Sequence, residues 1–145
     1  MAEWLFEENI IEELPEKSVG FVYQITNLID GRVYFGKKKS TFRKTTLKTV
    51  TLKSGIKKKK KIRSEVSSDW KTYYGSSLEL NNDVEKLGQE NFKREILRHC
   101  YSLTELSYYE SRIQFVTDCL LYPEKYYNSW ISSRVRRDNL IKKQK

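Results

Sequence analysis

Histidine is almost missing from this 145-residue chain: His99 is the only one, and Cys100 and Cys119 are the only cysteines. No Cys-x-x-Cys or mixed Cys/His spacing that holds zinc is present. A Ser-His-Asp or Cys-His nucleophilic site would have to use His99. That residue adjoins Cys100 in a strand-like run, so the two side chains point to opposite faces and such chemistry is disfavoured. Two unpatterned thiols suit a reducing cytosol, where cysteine most often serves as a small buried hydrophobe. Long apolar runs are lacking too. No stretch reaches the length that spans a bilayer, and Glu3, Glu7 and Glu8 near the start argue against a signal or transit peptide. Acidic residues are absent from the whole interval between Gly31 and Ser64.

Positive charge is plentiful. The 28 Lys and Arg against 19 Asp and Glu leave a formal net charge of +9, and the pI is near 9.5. That balance implies a polyanionic partner, either nucleic acid or an anionic membrane surface. Membrane-surface binding calls for a basic amphipathic helix, whereas the Lys-rich stretch here reads as strand and turn, so nucleic acid is the favoured partner and no membrane is expected. The length suits one domain with a modest core.

The most informative stretch is Val19 to Gly36. Two β-prone runs, Phe21 to Thr26 and Arg32 to Phe35, flank Asp30-Gly31, a pair with turn chemistry. A four-residue loop, Leu28 to Gly31, sets Ile25 opposite Tyr34 and Tyr23 opposite Gly36. Tyr23 and Tyr34 then share a face as diagonal neighbours, about 7–8 Å apart. Gly36 leaves bare backbone beside Tyr23, with room for a ligand. The two tyrosines either line such a site or simply pack, since Tyr favours strands.

Elsewhere, residues 1–18 read as an arm whose apolar residues pack on the domain, ended by Pro15. Residues 37–69 read as a basic hairpin or partly mobile loop. Thr46 to Leu52 is one strand, Ser54-Gly55 the turn, and Ile56 to Ile62 the return. Lys57, Lys58, Lys59, Lys60 and Lys61 repel one another there. They are either a solvated run or a phosphate-binding one, where counterion release favours binding. Ser68 to Ser77 reads as a surface loop. A helix over Leu78 to Leu87 is capped by Ser76 or Ser77 and stopped by Gly88. Phe92 to Cys100 reads as a third strand, with a helix as the alternative. Ser102-Leu103-Thr104-Glu105 is a capping box that starts a helix running to about Leu120. Its inward stripe is Leu103, Leu106, Ile113, Thr117 and Leu120, and Glu110 falls on the same stripe. A carboxylate there must be paired, protonated or bound to a cation. Residues 129–145 read as a basic segment with some helical potential.

Phe21-Val22-Tyr23 followed by Tyr34-Phe35-Gly36 resembles the paired motif of the GIY-YIG nuclease superfamily, with Phe-Val in place of Gly-Ile and Phe in place of Ile. The order of later parts is similar as well. Glu110 in Tyr-Tyr-Glu-Ser-Arg and Asn128 in Tyr-Tyr-Asn match the family's Glu and late Asn. Tyr74-Gly75-Ser76-Ser77 through Gly88-Gln89-Glu90-Asn91-Phe92 resembles the free-standing, homing-endonuclease-like members of bacteriophages.

The resemblance implies an α+β fold, with a small three-stranded antiparallel sheet flanked by helices. Residues 19–128 would form the domain and residues 37–69 a basic insertion within it. It further implies hydrolysis of DNA phosphodiesters with one divalent ion, Mg²⁺ or Mn²⁺, and no small-molecule cofactor, in a cytoplasm that is the host's if the chain is phage-encoded. By resemblance Glu110 holds the metal, Tyr23 activates or orients water, Tyr34 bonds water or phosphate, and Asn128 supports the site. A free Tyr has a pKa of about 10, so Tyr23 is a poor base unless Mg²⁺ and nearby Lys37 or Lys38 lower it. Arg43 is the nearest match to the family's catalytic arginine, with Arg63 its competitor. Lys37, Lys38, Arg63 and Lys57 to Lys61 would contact DNA. The family's frequent nearby His has no counterpart. Oligomeric state, recognition sequence and nicking against double-strand cutting are not readable. The competing reading is a nucleic-acid-binding module with an inactive nuclease site.

Overall fold

The computed structural model describes residues 3–141, except for the side chains of Arg43, Lys44, Thr45 and Arg63. The described residues form seven strands and three α-helices. Gly20–Asn27 (β3) and Val33–Lys39 (β4) form the Tyr hairpin. Its register sets Tyr23 against Gly36 and Ile25 against Tyr34, as the turn chemistry predicts. Gly31 takes φ +81° in the turn, and its amide donates to the Asn27 carbonyl at 2.8 Å. Phe92–Cys100 (β7) pairs antiparallel with β3 on the other side. A register shift opposite Val22 and Tyr23 marks a bulge. Beyond it β7 alternates in the opposite sense, so Ile96 and Cys100 enter the cores on opposite faces of the sheet.

The sheet has five strands, not the expected three, in the order β2-β1-β7-β3-β4. Trp4–Phe6 (β1) runs parallel to β7, and Asn9–Ile10 (β2) turns back on it through Glu7 and Glu8, both at positive φ. The three-residue β1 is too short to show a period-2 pattern, and its partner lies some ninety positions away. Trp4 nonetheless anchors the arm: it is buried, and its indole N–H donates to the Trp70 carbonyl at 2.7 Å.

One face of the sheet packs Phe21, Tyr23, Ile25 and Ile96 against Leu80 and Val84 of Leu78–Leu87 (α1). Ser77 caps α1 and Gly88 ends it. The other face packs Val22 and Cys100 against Leu106 of Leu103–Val116 (α2), which Ser102 caps. α2 stops at Val116, short of Leu120, where Thr117 bonds back to Ile113 and Asp118 takes φ 53°. The expected stripe is partly wrong: Leu103 and Leu120 are 53% and 42% exposed, while the polar Ser111 and Gln114 are buried on α2.

The loop from Ser68 to Ser77 is not simply at the surface, because Trp70 and Tyr74 are buried. Arg94, buried on β7, donates to the carbonyls of Lys71 and Tyr73 at 3.0 and 2.9 Å and so satisfies backbone that would otherwise resist burial. Thr41–Thr51 (β5) and Lys57–Ser67 (β6) form a separate two-stranded ribbon closed by Ser54-Gly55. A last short helix, Arg137–Leu140 (α3), lies in the basic C-terminal segment.

Candidate active site

The edge strand β4 carries the site, because three different elements converge on it. Residues 125–127 run along its edge: Val33 donates to the Lys125 carbonyl and Tyr127 to the Val33 carbonyl, both at 2.9 Å. Asn128 then substitutes for the next backbone partner. Its Oδ1 accepts from the Phe35 amide at 3.0 Å, and its Nδ2 donates to the Phe35 carbonyl at 2.8 Å. Both polar ends of the buried amide are thereby satisfied, so Asn128 holds the edge in place rather than reaching for a ligand. Tyr127 is fixed in turn, donating to Asp83 on α1 at 2.7 Å and accepting from Asn27 at 3.0 Å.

Alternation along β4 sends Tyr34 to the α1 side and Lys37 to the α2 side. Tyr34 meets the N-terminus of α1, with its hydroxyl 2.9 Å from Ser76 Oγ. Lys37 Nζ donates to Ser107 on α2 at 2.9 Å and stands 3.8 Å from Glu110 Oε1. A cavity of about 350 Å³ joins the two sides, lined by Tyr34, Lys37, Ser76, Glu110, Gln114, Asn128 and Trp130 among others. Residues as far apart in sequence as Tyr34 and Ser132 thus meet in one pocket.

Tyr23 lies beneath this pocket, 1% exposed. A Cβ on Gly36 would come within 2.5 Å of its hydroxyl and 3.0 Å of the Tyr34 ring, so only glycine lets the two tyrosines approach across the strand. Burial, followed by the neighbouring Tyr73 and Tyr34, holds the Tyr23 hydroxyl well above the usual phenol pKa. Lys37 does not offset this rise, being engaged with Ser107 and Glu110. Lys38, on the opposite face, pairs with Asp69 at 2.5 Å and lies over the Tyr73 ring. Lys38 is also buried, whereas Lys37 lines the pocket, because consecutive strand residues face opposite ways.

Glu110 is 15% exposed at its side chain. Burial raises its pKa, with Lys37 partly offsetting the shift. Among the described residues no group of three or more His, Cys, Asp or Glu converges. A hard divalent ion does not need one, since Mg²⁺ takes one or two carboxylates and completes its shell with water and phosphate oxygens. The pocket suits such an ion. Gln114 donates through Nε2 to the Phe35 carbonyl at 3.2 Å, and its buried Oε1, on the same wall as Glu110, finds no hydrogen-bond partner among the described residues.

A family model described as "Putative endonuclease segE, GIY-YIG domain" matches residues 4–131. The chain belongs to the GIY-YIG nuclease superfamily. It is 31% identical over 108 residues to "Putative endonuclease segE" of Enterobacteria phage T4, a match covering 74% of this chain and 39% of that protein. The chain thus spans well under half the length of that relative. No solved structure matches it significantly.

Within this GIY-YIG chain, Tyr34, Lys37, Glu110 and Asn128 line one pocket and Tyr23 underlies it. The side chains of Arg43 and Arg63 fall outside the described residues. Their backbones pair near the base of the ribbon, Arg43 with Glu65 and Thr45 with Arg63. Lys57 to Lys61 lie on β6, apart from the pocket lining. Sequence reasoning missed Gln114 and Trp130 as pocket residues. A signal for Gln114 did exist: it sits one turn after Glu110, on the same helix face. Trp130 follows the Tyr-Tyr-Asn motif in a segment with no regular pattern. Among the described residues no helix is long and apolar enough to cross a membrane.

Proposed function

We propose that this chain is a divalent-metal-dependent DNA endonuclease. The observation that carries the reading is the single pocket in which Glu110, Lys37 and Tyr34 come together over Tyr23, walled by a fully satisfied Asn128. Phosphodiester hydrolysis demands positioning and charge neutralisation more than covalent chemistry, and this pocket supplies both.

Glu110 holds the cation, Mg²⁺ or Mn²⁺, with Gln114 Oε1 as a neutral oxygen donor nearby. When bound, the ion neutralises charge on the phosphate. Lys37 adds a second positive charge at the same wall. Tyr34, its hydroxyl shared with Ser76, donates to phosphate or to the attacking water. Tyr23, kept neutral by burial, acts as a hydrogen-bond donor that orients; it is not the base. Asn128 fixes the Phe35 segment between the two tyrosines and Lys37. The arginine that neutralises the departing charge is Arg43 or Arg63, both carried near the root of the ribbon. Lys57 to Lys61 bind the DNA duplex.

Incubation with supercoiled plasmid tests the reading. Conversion to open or linear forms with Mg²⁺ or Mn²⁺, abolished by EDTA, is the expected result. Binding without cleavage across a broad DNA panel with either metal would instead establish a binding module with a dead site.

A further inference from the structure

Beyond its root, where Phe42 lies beneath the Lys38 ammonium at 4.8 Å, the β5–β6 ribbon stands apart from the packing of the domain. Among the described residues its strands pair only with each other, and it lies outside both hydrophobic cores. It is long and well formed nevertheless, with eleven paired positions closed by a tight turn in which Leu52 donates to the Ile56 carbonyl at 2.8 Å. Its charge pattern opposes its own stability. Lys48 stands directly opposite Lys60, and like charges at that distance destabilise a strand pair. The register divides the lysines of β6 between the two faces. Lys57, Lys59 and Lys61 share one face with Thr49 and Thr51, while Lys58 and Lys60 share the other with Lys48 and Val50. A ribbon charged on both faces is suited to enclosure by polyanion rather than to lying on a flat surface.

Dimensions select the enclosure. A two-stranded ribbon with side chains fits a major groove about 12 Å wide and exceeds a minor groove of about 6 Å. Eleven strand residues extend about 36 Å, close to one helical turn of DNA. Only Ser40 separates the end of β4 from the start of β5. The root is braced: Ser68 donates to the Ser40 carbonyl at 2.9 Å and through its hydroxyl to the Lys39 carbonyl at 2.6 Å. The ribbon therefore continues the strand that carries Tyr34 and Lys37, and leads away from the pocket.

We propose that β5–β6 is a groove-reading arm. It lies along the major groove of duplex DNA for about one helical turn to one side of the pocket, with the Thr49, Thr51, Lys57, Lys59 and Lys61 face toward the base edges. Threonine hydroxyls bond to any base edge and threonine methyls meet thymine methyls, while lysine donates to guanine O6 and N7. The opposite face, with its facing Lys48 and Lys60, meets phosphate. This inference rests on the reading of duplex DNA as the partner, but not on cleavage.

The test measures binding in EDTA, so that nothing is cut. In a trimmed variant, Asn-Gly replaces residues 47–61 and joins Thr46 to Ile62, which are paired in register. Arg43 and Arg63 stay in place. Wild type and variant are titrated against duplexes one to four helical turns long, with methyl green occupying the major groove or netropsin the minor. The trimmed protein should keep its melting temperature, bind the longer duplexes at least about tenfold more weakly, and show a shallower salt dependence. The wild-type advantage should appear only beyond about one turn of duplex, and methyl green but not netropsin should abolish it. Equal affinities, competition by netropsin alone, or no duplex binding by wild type would overturn the proposal. If the trimmed chain fails to fold, two triple variants replace it, Lys57, Lys59 and Lys61→Ser and Lys48, Lys58 and Lys60→Ser. Greater loss of methyl-green-sensitive affinity in the first supports the assigned face, and equal or smaller loss overturns it. Ribbon-dependent binding by a protein that cuts no plasmid would leave this inference standing and remove only the nuclease reading.

Discussion

The two halves of this chain solve opposite problems with strands of similar type. Around β4, nearly every polar group has a protein partner: Asn128 is bonded at both ends, Tyr127 joins Asn27 and Asp83, and Lys37 joins Ser107 and Glu110. Along β5–β6, Lys57 to Lys61 are exposed to solvent, and Lys60 faces a like charge on Lys48. Buried groups must be satisfied internally, so the pocket is geometrically over-determined. The ribbon's charges are left for something outside the molecule. On the proposed reading, chemistry that needs close placement falls to the first region and extended contact with a polyanion to the second.

Substitutions that hit one region and spare the other sharpen that contrast. The largest effect is expected from Glu110→Gln. Plasmid cleavage should fall at least about 10³-fold with the loss of the charge that holds the cation, while affinity for DNA stays equal or rises. A parallel loss of both would mean that the two regions are not separable.

Tyr23→Phe comes next, with an expected cost of about 10²–10⁴ in rate. Because burial keeps this hydroxyl protonated, the wild-type rate should not climb with a phenol titration between neutral and mildly alkaline pH. An activity that tracks tyrosine ionisation in that window would return Tyr23 to the role of base. The acid side of the profile tests Glu110, the proposed cation ligand. Its raised pKa means that cation affinity is lost on acidification at a higher pH than an ordinary glutamate would show, an effect readable by direct Mn²⁺ titration.

Gly36→Ala probes the packing of the pocket. The new methyl would meet the Tyr23 hydroxyl at 2.5 Å, so a destabilisation of about 1–3 kcal/mol is expected in denaturant melts, together with reduced cleavage. An unchanged melt would show that the tyrosines separate easily.

Lys57 to Lys61 changed together to Ser should leave thermal stability unaltered and lower the slope of log K against log salt by about 0.9 for every phosphate no longer neutralised. An identical slope would make the ribbon idle. The smallest effect is the thermal one of Glu110→Gln. The 3.8 Å approach to Lys37 is long, Lys37 keeps Ser107, and the buried carboxylate has a raised pKa, so its ionised form favours the native state less. From the ordinary carboxylate pKa up to the raised one, that group lowers native stability as pH rises. At neutral pH the Gln variant should therefore melt at or slightly above wild type. Early melting would recast Glu110 as half of a structural ion pair.

Local pattern alone determined much of this molecule. The Asp30-Gly31 turn set the register that places Tyr23 on Gly36, Ser77 and Gly88 bounded α1, and the Ser102 box began α2. Each of these depends on neighbours within a few residues, where backbone dihedrals and side-chain caps decide the outcome. Tertiary structure alone decided the rest. It turned a Glu-rich arm into two strands through a parallel pairing with β7, tied Gln114 to the Phe35 carbonyl through Nε2, and engaged Lys38 with Asp69 and Tyr73. Those outcomes hinge on which distant groups satisfy a buried charge or carbonyl, and neither composition nor periodicity along the chain encodes such partners.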